Sequence, residues 1–347
     1  MIQRSIRIRR PDDFHVHLRQ GDVLRSVIGG TARVFARALV MPNLTPPVLT
    51  GKQALAYRSQ IVEAAMAAGV KSFEPLMTIK LVASTTTDVI ALAAAEGITA
   101  GKLYPEGVTT NSEDGVRDIK GLYPVFEKMQ EVGMVLCLHG EVPGVFCMDR
   151  EKAFLGVLED IAHAFPRLRI VLEHVTTWEA VVSVKSLPAT VAATVTPHHL
   201  VLTLDDVVGD KLQPHHFCKP IAKREEDRRA LIDAVTSGNQ KFFLGTDSAP
   251  HVRETKECAS GCAGIFCAPV AMDVLAEVFW QEGKLERLEA FTSEFGACFY
   301  GLPLNEDFVR LFEESHEVPH YVSPGPGAQE FAAFRGGQTL RWSCQVE

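Results

Sequence analysis

The stretch Asp12-Asp13-Phe14-His15-Val16-His17-Leu18-Arg19 decides how this 347-residue chain is interpreted. If the stretch is extended, alternate residues share a face, so His15, His17 and Arg19 point the same way. Two imidazoles one pleat apart can hold one metal ion, because neutral histidine nitrogen is a good zinc ligand. The planar guanidinium of Arg19 suits a carboxylate. The pattern predicts a metal beside an anion receptor, although two histidines in a strand are also compatible with satisfied core residues.

Short apolar runs recur along the chain, and segments with helical spacing of apolar residues follow most of them. Helices are predicted over 53–68, 116–132, 150–165 and 224–236. Alternation of such runs with helices indicates a parallel sheet. The pattern therefore predicts a closed (β/α)₈ TIM barrel. We expect residues 1–347 to form one domain, with a C-terminal helical extension and a tail over 339–346 outside the barrel. The predicted strands cover 12–19, 38–43, 72–78, 98–104, 134–139, 169–174, 191–196 and 241–247.

Polar side chains stand at the ends of these predicted strands. In barrels of this type the chemistry lies at the C-terminal ends of the strands, so we expect these side chains to converge. Any single histidine here could be a satisfied core residue, but the set supplies nitrogen and oxygen ligands for a divalent metal. Zinc is expected first, with manganese or cobalt possible. The strand-end residues are His15, His17, Asn43, Lys102, His139, His174 and Asp247.

Lys102 is unusual among these residues, because a protonated ammonium has no lone pair and repels a metal. A lysine between metals must therefore lose its proton and be modified. Addition of carbon dioxide to the amine would give a carbamate, an anion that can bridge two cations. The alternative is a barrel lysine that pairs with an acid such as Asp247.

Other residues of metal-binding type are not expected to be ligands, because of their position or spacing in the sequence. Glu173 precedes His174 directly, so the alternation of a strand predicts that its side chain faces away from the barrel mouth. The pairs at 198–199 and 215–216 are expected to be loop histidines. Cys258, Cys262 and Cys267 lack the spacing of a zinc hook, and structural thiols are expected there.

Composition limits the classes of partner. The chain has 35 basic and 43 acidic residues, for a net charge of −8, which argues against nucleic acid or an anionic membrane. The basic start lacks the apolar core of a secretory signal, and no apolar run approaches the roughly 18 residues of a membrane span. Eight scattered cysteines favour a reducing cytoplasm. We expect a cytoplasmic enzyme with a small anionic substrate.

Six motifs resemble the amidohydrolase superfamily, and within it the short, stand-alone bacterial dihydroorotase family. The resemblance covers nearly the whole chain. It departs from the family at Lys219, where an apolar residue is usual, and in the loop over 143–149, which is about two residues shorter. The motifs are Asp12-Asp13-Phe14-His15-Val16-His17-Leu18-Arg19, Val40-Met41-Pro42-Asn43-Leu44, Lys102-Leu103-Tyr104-Pro105, Leu138-His139-Gly140-Glu141-Val142, Glu173-His174-Val175-Thr176-Thr177 and Leu244-Gly245-Thr246-Asp247-Ser248-Ala249-Pro250-His251.

The resemblance implies a binuclear zinc centre. One ion would be held by His15, His17 and Asp247 and the other by His139 and His174. Carboxylated Lys102 and a hydroxide would bridge the two ions.

The resemblance also implies a set of substrate contacts, to which His17 and His139 contribute as well as binding metal. Arg19, Asn43 and His251 would bind the α-carboxylate. Backbone groups of Lys219 and Ala263 would contact the pyrimidine ring, and Thr109 and Thr110 would close over the substrate.

The implied reaction is the reversible cyclisation of N-carbamoyl-L-aspartate to L-dihydroorotate in pyrimidine synthesis, with Asp247 as general acid and base. The resemblance further suggests a homodimer. Two alternatives stay open. A hydantoinase would share the metals without needing a receptor for a ring carboxylate. A non-catalytic scaffold barrel would need neither.

Overall fold

Eight parallel strands form the centre of the molecule in the computed structural model, which describes residues 4–323 and 328–347. The strands pair in chain order, and each is joined to the next by a connection that contains helix. The TIM barrel prediction is confirmed. A further strand, β1 (Ser5–Arg9), precedes the barrel strands, which are β2 (Asp12–Val16), β3 (Arg37–Val40), β4 (Glu74–Leu81), β5 (Ala100–Leu103), β6 (Val135–Leu138), β7 (Ile170–Leu172), β8 (Val191–Val195) and β9 (Phe242–Leu244).

The barrel closes where the residues after β9 meet β2. The backbone N–H of Asp247 donates to the carbonyl of His15 at 2.8 Å, and the N–H of His17 donates to the carbonyl of Ser248 at 3.0 Å. Val16 and Ser248 form a parallel bridge. These bonds bring the first and last predicted ligand segments side by side.

The helices surround the barrel and bury their apolar faces against it. Strand β6 is preceded by a helix that begins at Tyr123 after a 3₁₀ turn, so the predicted start at 116 is seven residues early. Pro124, near the helix start, fits there because its missing N–H is not needed in the first turn. The helices are α1 (Gly21–Ala32), α2 (Gly51–Ala67), α3 (Thr87–Ala95), α4 (Tyr123–Val132), α5 (Arg150–Ala164), α6 (Trp178–Ser186), α7 (Asp205–Val208), α8 (Glu225–Thr236), α9 (Arg253–Lys256), α10 (Ala271–Gln281) and α11 (Phe295–Tyr300).

The lower interior of the barrel is apolar. Phe14 stacks on Tyr300 of α11 with ring centres 4.7 Å apart, and Phe243 meets Phe14 edge to face at 5.5 Å. Val135 and Val171 belong to the same buried cluster. Because these residues precede the predicted ligands along parallel strands, α11 fills the end of the barrel opposite the site.

After the helices the chain returns to strands, which the predicted helical extension did not include. Strand β10 (Phe308–Phe312) pairs with β1 and with β15 (Ser343–Val346), so the two ends of the described chain share one sheet. Two small hairpin-like pairs join β11 (His316–Glu317) to β14 (Thr339–Leu340) and β12 (Tyr321–Val322) to β13 (Phe331–Ala332). Across the described residues, every helix is too short or too polar to cross a membrane.

Candidate metal centre and active site

The predicted site residues converge on one cavity at the C-terminal ends of the barrel strands. Lys102 is fully buried on β5, beneath the cavity. His251 lies beside Arg19 at the rim. All the other predicted residues line the cavity itself, namely His15, His17, Arg19, Asn43, Thr109, Thr110, His139, His174, Lys219, Asp247 and Ala263.

His15, His17 and Asp247 form a cluster that could hold a metal ion. The Nε2 atoms of His15 and His17 lie 3.4 and 3.1 Å from Asp247 Oδ1. Gly245 allows this approach, because a Cβ there would lie 2.8 Å from the Thr194 side chain and 2.9 Å from His15 Cβ. Only glycine fits so close to the neighbouring strands.

Glu173 contacts this cluster, so the prediction that it faces away from the mouth is wrong. Val171 points into the barrel, and Glu173 continues that alternation. The chain then turns at His174, whose φ of 42° brings its ring to the same side. His15 Nδ1 donates to Glu173 Oε2 at 2.8 Å. A carboxylate on one nitrogen fixes the tautomer and leaves the other nitrogen free for a metal.

His139 and His174, the ligands predicted for a second ion, lie next to this cluster. Their ring centres are 4.7 Å apart, and the His174 ring lies 5.0 Å from that of His15. His139 Nε2 lies 2.8 Å from Glu141 Oε2, which leaves Nδ1 available. His174 Nδ1 is buried without a hydrogen-bond partner in the described structure. A buried nitrogen without a partner destabilises the fold unless a bound group, such as a metal ion, interacts with it.

Lys102 gives a second sign that the residues fit a metal centre. Its side chain is fully buried, and Nζ has no hydrogen-bond partner among the described residues. The alternative pairing with Asp247 is therefore not formed. Burial lowers the pKa of the Lys102 ammonium, although the carboxylate of Glu173 acts against this. A neutral amine is the form that can add carbon dioxide, so the environment suits the modification expected at this position.

Burial and charge keep the ligands in metal-binding protonation states. Burial lowers the pKa of His17 to about 4, and it lowers the pKa of His174 well below its usual value. For Asp247, burial alone would raise the pKa, but the hydrogen bond with His17 and the electrostatic interactions with the surrounding imidazoles hold it well below the usual range. Neutral imidazole and ionised carboxylate are the ligand forms that metals bind.

Arg19, Asn43 and His251, the predicted anion receptor, lie together at the rim. Arg19 Nη2 and the Ala263 carbonyl oxygen both lie 3.0 Å from His251 Nε2, and Arg19 Nε donates to the Pro250 carbonyl at 3.0 Å. Burial, with the nearby Arg19 charge, lowers the pKa of His251 to about 3. Of these three side chains, the cationic one is therefore Arg19.

The loop over 105–115 covers the cavity. The side-chain amide of Asn43 donates to the Thr110 carbonyl at 3.1 Å, and the amide of Asn111 donates back to the Asn43 carbonyl at 3.0 Å. Thr109 and Thr110 are thereby held in the cavity wall.

The comparisons with known proteins agree with this geometry. The model of the Amidohydrolase family matches residues 12–305. A dihydroorotase of Nitrosomonas europaea is 50% identical over 337 residues, with 96% of each chain covered. A dihydroorotase of Vibrio vulnificus is 49% identical over 345 residues, with 98% of this chain and 99% of the relative covered. The chain belongs to the dihydroorotases of the amidohydrolase family.

A solved structure agrees with this assignment to the dihydroorotases. The crystal structure of Saccharomyces cerevisiae dihydroorotase in complex with 5-fluoroorotic acid superposes with a TM-score of 0.93 and 35% identity, covering 100% of this chain and 99% of that one. The L-hydantoinase of Arthrobacter aurescens has a TM-score of 0.80 at 17% identity, covering 99% of this chain and 84% of that one. That second likeness shows a shared fold and does not favour a hydantoinase.

Three residues of this dihydroorotase site had no predicted role. Tyr104 lines the cavity, and its buried hydroxyl has no partner in the described structure. Its position two residues after Lys102 on a strand could have placed it in the interior. Glu141 and Glu173 each contact a histidine ring. Of these two, only Glu141 could have been found from the sequence, because it lies two residues after His139.

The remaining candidate ligands lie apart from the centre. Within the described residues, Cys258, Cys262 and Cys267 form no cluster with metal-binding geometry, and Cys267 donates to the Thr246 carbonyl at 3.2 Å. His215 pairs with Glu257 on the surface. His198 and His199 are buried beside Cys218.

Proposed function

We propose that this chain catalyses the reversible cyclisation of N-carbamoyl-L-aspartate to L-dihydroorotate with loss of water, a step of de novo pyrimidine (UMP) biosynthesis. The observation that carries the proposal is that Arg19, Asn43 and His251 lie together at the rim, beside the cluster of histidine and aspartate side chains at the strand ends. The dihydroorotase relatives at about half identity support the same substrate.

We propose that the centre holds two zinc ions. His15, His17 and Asp247 would bind one ion and His139 and His174 the other, with N6-carboxylated Lys102 and a hydroxide between them. When bound, such a pair supplies Lewis acidity and water of lowered pKa. The unpartnered atoms of Lys102 and His174 support this assignment.

The chain's own residues orient the substrate. The Arg19 guanidinium would form charged hydrogen bonds to the α-carboxylate, with Asn43 and His251 completing the receptor. Backbone groups of Lys219 and Ala263 would contact the ring, which makes the unusual side chain at 219 tolerable. Thr109 and Thr110 would exclude water when the loop closes.

Asp247 would move the proton. Its carboxylate is ionised at neutral pH, so in the hydrolytic direction it can accept a proton from the attacking water. It would then give that proton to the departing amide nitrogen, acting first as base and then as acid. In the biosynthetic direction the two transfers occur in reverse order.

A paired assay tests the substrate. Purified enzyme is given dihydroorotate and, separately, hydantoin, and its metal is counted by elemental analysis. Turnover of dihydroorotate with about two zinc ions per chain supports the proposal. Preference for hydantoin would support the other cyclic amidase, and a chain without metal or turnover would support the scaffold.

Replacing Arg19 by alanine tests the carboxylate receptor. We expect KM for dihydroorotate to rise roughly 10- to 100-fold, because a hydrogen bond between charged groups is lost. The matched control is Arg25→Ala, which removes an exposed arginine that pairs with Asp22 on the outer surface. Equal KM values in the two variants would contradict the receptor.

Three broader features remain predictions. We propose that residues 1–347 act as one domain, that the protein is a homodimer and that it works in the cytoplasm. All eight cysteines are free, as a reducing compartment favours. Sedimentation of the purified protein would measure its oligomeric state directly.

A further inference from the structure

Lys80 is a buried cation at the mouth of the barrel. It lies one residue before the end of β4, next to Lys102 in the register of β4 and β5. Its side chain is 1% exposed, and Nζ lies 5.8 Å from the ring centre of Tyr104. An ammonium taken out of water must be paired, because an unpaired buried charge is among the costliest groups in a protein.

Both hydrogen-bond acceptors of Lys80 Nζ belong to the 105–115 loop. The ammonium donates to the Asn111 carbonyl at 2.8 Å and forms an ion pair with Asp114. In the part of the chain that the structure describes, the hydrogen bonds that tie the loop residues 106–114 to the barrel strands and their ends involve two residues, Asn43 and Lys80. Displacement of the loop would therefore leave the Lys80 charge without its acceptors.

We propose that Lys80 is a positioning residue that fixes the 105–115 loop over the site through Asn111 and Asp114, and so places Thr109 and Thr110 against the substrate. The loop-closed state satisfies the ammonium, whereas any open state requires Lys80 to be resolvated at the barrel mouth. The pairing is unlike a surface ion pair, because one partner is buried and the other lies on the segment that covers the cavity. The substrate contacts of the two threonines rest on the proposed function. The attachment of the loop by Lys80, which we call the latch, does not.

The same loop provides a matched control. Arg117 forms an ion pair with Glu106, and this pair joins two points of the loop region to each other and not to the barrel. Its arginine side chain is 83% exposed, so its loss should matter little. Arg117→Gln therefore removes a charge pair from the same segment without removing a tie to the barrel.

Hydrogen–deuterium exchange of the free protein is the first test, because it needs no substrate. We expect amides of the 105–115 peptide to exchange roughly 10-fold faster in Lys80→Met, since a hydrogen bond to a charged group shifts an equilibrium by about that factor. Asp114→Asn should show a smaller increase, because the Asn111 carbonyl remains. Arg117→Gln should match the wild type. Wild-type exchange in both latch variants would overturn the proposal.

The double variant Lys80→Met with Asp114→Asn separates a direct pair from two unrelated effects. Its exchange rate should equal that of Lys80→Met alone, because the second change removes a partner that is already lost. Fully additive increases would overturn the latch. If Lys80→Met does not fold, the exchange rate of the 105–115 peptide in Asp114→Asn tests the latch by itself. The Asp114 carboxylate is half exposed, so its replacement leaves the core intact.

Kinetics with dihydroorotate gives the second test. A loop that is closed only part of the time reduces apparent affinity by that fraction. We therefore expect KM to rise roughly 10-fold in Lys80→Met while kcat stays within about twofold. An unchanged KM together with unchanged exchange would overturn the latch. Accelerated exchange in a protein that does not act on dihydroorotate would retain the latch and overturn the proposed function.

Discussion

Among the described residues, two clusters each bring three potential metal ligands together, and they differ in the hydrogen-bond partners of those ligands. The first consists of His15, His17 and Asp247, and the second of His198, His199 and Cys218. Both are largely buried, so proximity and burial do not distinguish them. The difference lies in the hydrogen-bond partners of His15 in the first cluster and of His199 and Cys218 in the second.

In the first cluster a carboxylate lies behind one of the histidines. Glu173 accepts from His15 Nδ1, so Nε2 faces Asp247 with its lone pair. Asp247 itself stays ionised. The backbone at His174 and Asp247 has φ of 42° and 46°, a conformation that costs free energy in residues other than glycine. Both residues with this strained backbone direct their side chains into the cavity.

Two members of the second cluster, His199 and Cys218, are hydrogen-bonded within the protein, whereas both ring nitrogens of His198 are buried without a hydrogen-bond partner in the described structure. His199 Nε2 lies 3.0 Å from the Pro220 carbonyl, which can only accept, so that nitrogen carries the proton. Its Nδ1 lies 2.8 Å from the Thr196 hydroxyl. Cys218 donates to the same carbonyl at 3.2 Å, and burial raises the pKa of its thiol to about 12. Because His199 and Cys218 are held in neutral, hydrogen-bonded forms, we expect this cluster not to bind a metal.

The largest expected effect comes from Asp247→Asn. The amide keeps the shape of the side chain but cannot take up the proton, so kcat should fall by roughly 10²- to 10⁴-fold, and further if a metal is lost. Steady-state kinetics with elemental analysis measures both effects. Turnover like that of the wild type would exclude Asp247 as acid and base and would remove the functional contrast between the clusters.

Glu173→Gln should have an intermediate effect. Loss of the charged acceptor behind His15 should weaken metal binding roughly 10- to 100-fold, as for other carboxylates behind metal ligands. Competition with a chelator measures this affinity. Glu141→Gln is the matched comparison, because it removes the same kind of partner from His139. Unchanged affinity in both variants would mean that these carboxylates do not tune the centre.

Cys218→Ser should have the smallest effect. We expect the metal content to equal that of the wild type and kcat/KM to stay within about twofold, because the hydroxyl can donate to the Pro220 carbonyl as the thiol does. Elemental analysis and steady-state kinetics check this. Loss of one metal ion per chain would show that the second cluster is a metal site after all.

The strand-end rule succeeded for residues that continue a strand's alternation. The positions of Lys102 and His139 at the barrel mouth were predictable in this way, because buried strand residues precede each of them. The rule failed at Glu173, since the turn at His174 puts two consecutive residues on one side. Backbone turns of this kind depend on neighbouring strands and leave no periodic signal.

Sequence pattern by itself therefore determined the barrel, the set of strand-end side chains that meet at its mouth and the arginine beside them, because periodicity and residue chemistry are local properties. Tertiary structure alone decided which histidine nitrogens remain free, that Lys102 lacks a partner and that Lys80 holds the loop. Those outcomes depend on groups distant in sequence that meet across the barrel. Their hydrogen bonds and burial depend on the folded structure and cannot be predicted from spacing along the chain.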